Sequence, residues 1–125
     1  MYGIYIHDDG NLNYAKALVK GIKRVETRAR NVLKGIDFNQ RIAIIRTRSG
    51  HAPEIVGYVK MEPGFHCPAS LFHLFDEWHL VGPGSKFDTD ERGKWFYTTT
   101  WFKELDEPLP LPKERTNHGR SYTEF

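Results

Sequence analysis

Gly21-Ile22-Lys23-Arg24-Val25-Glu26-Thr27-Arg28 stands where a helical pattern gives way to an extended one. With the neighbouring Lys20 it places five ionisable groups in nine positions. Before it, Leu12, Ala15, Val19 and Ile22 recur at the spacing of one helical face, with Asn11 or Asn13 as the cap. Gly21 falls where a left-handed residue ends a helix. From Lys23 to Arg28 the chain reads as extended. Strand alternation would then put Arg24, Glu26 and Arg28 on one face and Lys23, Val25 and Thr27 on the other. Lys23 and Glu26 share a cleft only if Lys23 precedes the regular strand, close to the glycine turn.

Tyr2 to Ile6 reads as a strand and His7-Asp8-Asp9-Gly10 as a turn. Asn31 to Asp37 is a loop. Gln40 to Thr47 and Glu54 to Met61 are apolar and β-branched, and Ser49 to Pro53 between them predicts a hairpin. Glu62 to Arg92 is a loop-rich insert, interrupted by Pro63, Pro68 and Pro83. Within it a short helix is expected over Ala69 to Trp78, with Leu71, Leu74, Phe75 and Trp78 on one face and Pro68 in its first turn. Lys94 to Lys103 is an aromatic strand, Leu105 to Pro112 a proline-rich extended crossing, and Arg120 to Phe125 a last strand. Many strands and few helices predict one domain, 1–125, of α+β class and mainly β: a curled sheet or β-barrel with one or two short helices.

The totals narrow the function. A chain of 125 residues holds one domain with one core. Its net charge is only +2, yet residues 16 to 48 carry ten Lys and Arg against two acids, which predicts a local basic face. Cys67 is the only cysteine, so no internal disulfide can form. No N-terminal run resembles a signal peptide and no segment approaches about 18 apolar residues, so a cytoplasmic protein with no membrane partner is expected.

The pattern Gly21-x-Lys23-x-x-Glu26-x-Arg28, following a helix and preceding a loop and a hairpin, resembles the ASCH family, a branch of the PUA-like fold. The Arg41 to Arg48 strand, the Ile55-Val56-Gly57-Tyr58-Val59 strand and the C-terminal aromatic strand fit it as well, and the insert has no counterpart in it. The resemblance implies a small β-barrel with a cleft beside the motif, binding RNA or a modified nucleotide. It also implies, as alternatives, a ribonuclease or an N4-acetylcytidine amidohydrolase. The amidohydrolase subgroup carries a Thr where this chain has Glu26, so Lys23 carries over and the Thr nucleophile does not. Thr27 lies one position away.

The residues themselves support chemistry of that kind. Lys23, among Lys20, Arg24 and Arg28, would feel like charges that lower its pKa, and can hold a phosphate or a developing oxyanion. Glu26 can act as a general base or accept from a base amino group, or simply pair with Arg24 or Arg28. Arg28 offers a planar fork to phosphate. If the site is catalytic, Lys23 and Glu26 are the expected actors. For nucleic-acid binding the expected residues are Lys20, Lys23, Arg24, Glu26, Arg28, Tyr97 and Arg120. Tyr97 belongs to the aromatic strand, which is either buried on both faces in a barrel or presents one face of rings for stacking, worth about 1–3 kcal/mol per base.

No cofactor or metal is expected. His73 and His79 flank Asp76 and Glu77, but the spacing does not put both histidines on one helical face and no Cys pair or His-Glu-x-x-His pattern accompanies them. His51 or His118 could face a cleft, and His66-Cys67 reads as loop packing. A protein-interaction module, using the aromatic strand and the proline-rich crossing, is the remaining alternative.

Overall fold

A computed structural model describes residues 1–125. Its elements are β1 (Tyr2–His7), α1 (Tyr14–Val19), β2 (Val25–Arg28), β3 (Ile42–Thr47), β4 (Glu54–Met61), β5 (Phe65–Cys67), α2 (Ala69–Phe72), a 3-10 turn (His73–Phe75), α3 (Asp76–His79), β6 (Lys94–Pro110), β7 (Thr116–His118) and β8 (Tyr122–Glu124). The strands form one sheet in the order β2-β6-β4-β3-β1-β8-β7, with β5 also on β6. It curls into a half-barrel, the curled-sheet form of the expected α+β fold. Only β1 and β3 run parallel. β3 and β4 make the expected hairpin, pairing Ile42 with Val59 and Ala43 with Tyr58. The proline-rich crossing continues β6 along β4, so that one strand runs from Lys94 to Pro110.

Helix α1 packs against the sheet. Asn13 caps it, its Oδ1 accepting from the Lys16 N–H at 3.0 Å. The buried face is Tyr14, Ala15, Leu18 and Val19, not the Leu12, Ala15, Val19, Ile22 series. Leu12 and Ile22 lie outside the six-residue helix and are exposed, because the turns at each end carry them off the core side. The main core joins the α1 face to Ile4, Ile6, Ile42, Ile44 and Val59 of the sheet and to Leu33 and Ile36 of the loop after β2. Burial of each such side chain contributes about 1.5–3 kcal/mol.

The insert is more ordered than its proline content suggests. The single helix expected over 69–78 is broken into α2, the 3-10 turn and α3. The tighter turn rotates the faces, so Phe72 and His79 point inward while Leu71, Leu74 and Trp78 are exposed. Phe72 joins Val25, Cys67, Val81 and Phe96 in a second core that docks the insert on β2, β5 and β6.

Candidate functional site

The geometry of the site starts with the end of α1. The Gly21 N–H donates to the Leu18 carbonyl at 3.1 Å and the Ile22 N–H to the Ala17 carbonyl at 2.9 Å, the paired bonds of a Schellman motif. Gly21 has φ +74°, the left-handed conformation that this turn requires. Arg24 then ties two elements, its N–H donating to Trp78 and its carbonyl accepting from the Thr99 N–H, both at 2.8 Å. Lys23 is therefore held rigidly just before β2 begins, the arrangement that lets it reach Glu26.

Both side chains are buried, Lys23 to 1% exposure and Glu26 to 7%. The Lys23 ammonium donates to the His79 carbonyl of the insert. It lies 3.8 Å from Glu26 Oε1 and 4.8 Å from the Tyr14 ring centroid. Burial pushes the Lys23 pKa down to about 8, Glu26 opposes that fall and Arg28 adds to it. Glu26 Oε2 accepts from Arg28 Nη2 at 3.1 Å, and Oε1 accepts from the Thr27 N–H at 3.2 Å. Arg28 Nη2 also donates to the Tyr5 carbonyl at 2.8 Å. Arg28 is thus engaged in holding Glu26 and anchoring β2 to β1.

Lys23, Glu26 and Arg28 line a cleft of about 230 Å³ together with Ile6, Tyr14 and Thr27, and with Val81 and Phe87 from the insert. Its walls are largely apolar and its charged groups converge. The insert forms one wall. Lys94 at the start of β6 and His7 at the end of β1 also line it, and burial lowers the pKa of each. The Tyr14 hydroxyl is buried without a hydrogen-bond partner, in the same cleft-lining side chain whose ring faces Lys23.

The other expected binding residues stand elsewhere. Arg24 is exposed and precedes the strand, so it does not share a face with Glu26 and Arg28. Lys20 is exposed and faces Glu104 at 3.7 Å. Arg120 is exposed in the turn between β7 and β8 and does not line the cleft. Tyr97 offers no stacking surface, being 0% exposed in the main core. Its hydroxyl donates to Asn31 Oδ1 at 2.6 Å and accepts from the Leu33 N–H at 3.3 Å. Adjacent Phe96 is buried in the second core, so both faces of β6 are covered at this point. Sequence reasoning missed Tyr14, Val81, Phe87, Lys94 and His7 as cleft walls. Tyr14 and Leu18, four apart, carried a signal for the inward face of α1, whereas nothing in the pattern of the insert marks Val81 or Phe87.

His73, Asp76 and His79 come together, with candidate donor atoms within 4.8 Å of one another, because the broken helix brings the two rings to 6.2 Å. Both nitrogens of His79 are engaged. Nε2 donates to the Phe72 carbonyl at 2.8 Å and Nδ1 accepts from the Val81 N–H at 2.9 Å. His73 bridges Asp76 and Asp88 at 2.7 and 2.8 Å, which raises its pKa. The cluster is a clip inside the insert. His51 lines a neighbouring depression, and His118 pairs with Glu124 at 2.8 Å away from the cleft.

No helix is long and apolar enough to cross a membrane. The sequence matches no family profile and no curated protein. Solved structures do match. ASCH from Zymomonas mobilis is similar over 87% of this chain and 73% of its own, with TM-score 0.64 and 20% identity. A mutant of that protein matches over 87% and 74%, with TM-score 0.62 and 20% identity. The chain has the ASCH-domain fold.

Proposed function

We propose that this ASCH-fold chain binds RNA or a modified nucleotide by taking one base into the cleft beside Lys23. The observation that carries the reading is the buried Lys23–Glu26–Arg28 chain of charges lining an apolar-walled cleft. A nucleobase is flat and apolar on its faces, with hydrogen-bond donors and acceptors along its edge. The cleft has the same division: Tyr14, Val81 and Phe87 offer apolar surface, and Lys23 and Glu26 offer a donor beside an acceptor. An ammonium has three donors, and Lys23 directs one to the His79 carbonyl and another side to Glu26, leaving capacity for a base carbonyl. Glu26 retains lone pairs for an exocyclic amine or ring N–H.

The volume supports a single unit. Pockets for drug-sized ligands run to about 300–1,000 Å³, and about 230 Å³ suits one base better than a run of nucleotides. Binding of a short RNA is expected to weaken as salt rises, because phosphate contacts release counterions. Anisotropy titrations across a salt series test this. Affinity that ignores salt, or no binding at low salt, sinks the reading.

A second reading, hydrolysis in the same cleft, is favoured by one observation. Lys23 Nζ lies 3.8 Å from Glu26 Oε1 with Thr27 lining the same cleft, and burial pushes the Lys23 pKa down to about 8, towards the range in which an amine serves as a base. Incubating wild type and Lys23→Ala with RNA and with N4-acetylcytidine distinguishes it from binding alone. If wild type turns over neither substrate, or both proteins act alike, catalysis at Lys23 is refuted.

A further inference from the structure

Beside the base cleft lies a second, more open depression of about 830 Å³ with no apolar residue in its lining. The two are contiguous, since His7 lines both, and Lys86 of the depression is followed in the chain by Phe87 of the cleft. The depression is built where the ends of β1 and β3 meet the β3–β4 turn and the insert. Its one carboxylate, Asp8, is already answered: Arg46 holds it through two hydrogen bonds, Nε to Oδ1 at 3.0 Å and Nη2 to Oδ2 at 2.7 Å. Arg48 and Lys86 are both exposed and neither pairs with a carboxylate, so their charge is uncompensated. They come from different elements and converge on one concavity, with the Ser49 hydroxyl beside them.

We infer that this depression receives the phosphate of the same nucleotide whose base enters the cleft, so that the ligand is a phosphorylated nucleotide or RNA rather than a free nucleoside. The inference rests on the base-binding reading of the cleft. The chemistry follows from the contrast between the two concavities. The cleft has largely apolar walls, and Lys23, Glu26 and Arg28 in it are buried or half-buried and held against one another, which suits a base. The depression has only polar walls and two unpaired cations, which suits a hydrated anion. An Arg and a Lys lining one concavity suit a phosphate, the Arg through its fork and the Lys, whose ammonium lies 5.2 Å from the Phe87 ring centroid, as a point charge.

The test compares a nucleoside, its 5′- and 3′-monophosphates, and inorganic pyrophosphate alone, by amide chemical-shift titration at low salt. The variants are Arg48→Gln, Lys86→Gln and the double variant, all at exposed positions outside the cores. A monophosphate should bind about tenfold more tightly than the nucleoside, the gain of one charge-assisted contact. The double variant should lose that gain and keep the affinity for the nucleoside. Pyrophosphate alone should shift the amides of Arg48 to His51 and Lys86, and leave those of Val25 to Arg28 in place. Equal affinity for nucleoside and monophosphates, a gain that survives in the double variant, or pyrophosphate shifts outside the depression would each overturn the proposal. Failure of the cleft reading looks different: pyrophosphate still shifts the depression while the nucleoside shifts nothing at Val25 to Arg28. That outcome also removes the coupling of base to phosphate and reduces the depression to a free-anion site.

Discussion

Replacing Lys23 by Met separates the cost of holding this charge from its use. The lysine pKa falls from an ordinary 10.5 to about 8 on folding, which corresponds to roughly 3 kcal/mol spent in keeping a charged ammonium buried. Because the folded value is the lower one, the unfolded chain holds more protons between pH 8 and 10.5. The penalty is therefore complete below pH 8 and fades as pH rises to 10.5. Lys23→Met keeps most of the side-chain volume and removes the penalty. It also leaves the His79 carbonyl without its donor, at a cost of about 1–3 kcal/mol. Glu26 keeps Arg28 and the Thr27 N–H. At pH 7 these changes offset, and the variant should lie within about 2 kcal/mol of wild type. As pH rises from 8 to 10.5, wild type should gain on the variant by roughly 1.4 kcal/mol per pH unit. Urea denaturation of both proteins at a series of pH values measures the difference, in which the titration of all other groups cancels. A difference that stays flat from pH 7 to 10.5 would refute the reasoning, as would a loss above about 4 kcal/mol at pH 7, which would make Lys23 a structural keystone.

Three further outcomes follow from the geometry. Tyr97→Phe should cost about 1–3 kcal/mol in denaturant unfolding, because the Leu33 N–H and Asn31 lose their partner, while ligand affinity is retained; a loss of binding with no loss of stability would restore Tyr97 to the site. Gly57→Ala should be more damaging than Gly50→Ala, since the new Cβ would lie 2.3 Å from the Lys103 carbonyl oxygen and 2.6 Å from Val19 Cγ1, whereas at Gly50, despite its φ of +75°, nothing lies within 4 Å. Thermal melts of the two variants compare them. For His73, hydrogen bonding to Asp76 and then Asp88 raises the folded pKa above 6.5, so its contribution is complete below that value and lost as pH rises through the folded one; His73→Gln should cost more stability at pH 5.5 than at pH 8.5, and equal costs would argue against the clip.

Several decisive features were legible because short-range chemistry dictates them. Asn13 can cap only a helix that starts after it, and Gly21 meets the need for a left-handed residue where that helix ends. Once Gly21 makes the turn, Lys23 falls before the strand and beside Glu26. The β3–β4 hairpin was readable from two apolar β-branched runs around a turn. The errors share one physical cause, the dependence of a face on distant partners. Leu12 and Ile22 match the helical period but lie beyond a helix that is too short to carry them inward. Tyr97 sits on a strand covered on both sides, by α1 and the loop after β2 on one face and by the insert on the other, and alternation along the strand says nothing of that. Val81 and Phe87 wall the cleft because of how the insert folds back, which no local spacing encodes.

The most direct test of the central claim is an amide chemical-shift titration of wild type and Lys23→Met with short RNA and with nucleotides, including N4-acetylcytidine monophosphate. Saturable shifts are expected at Val25 to Arg28 and at Val81 and Phe87 in wild type, with their loss in Lys23→Met while the fold persists. Saturable binding whose shifts lie away from these residues, or that is unchanged in Lys23→Met, would contradict it.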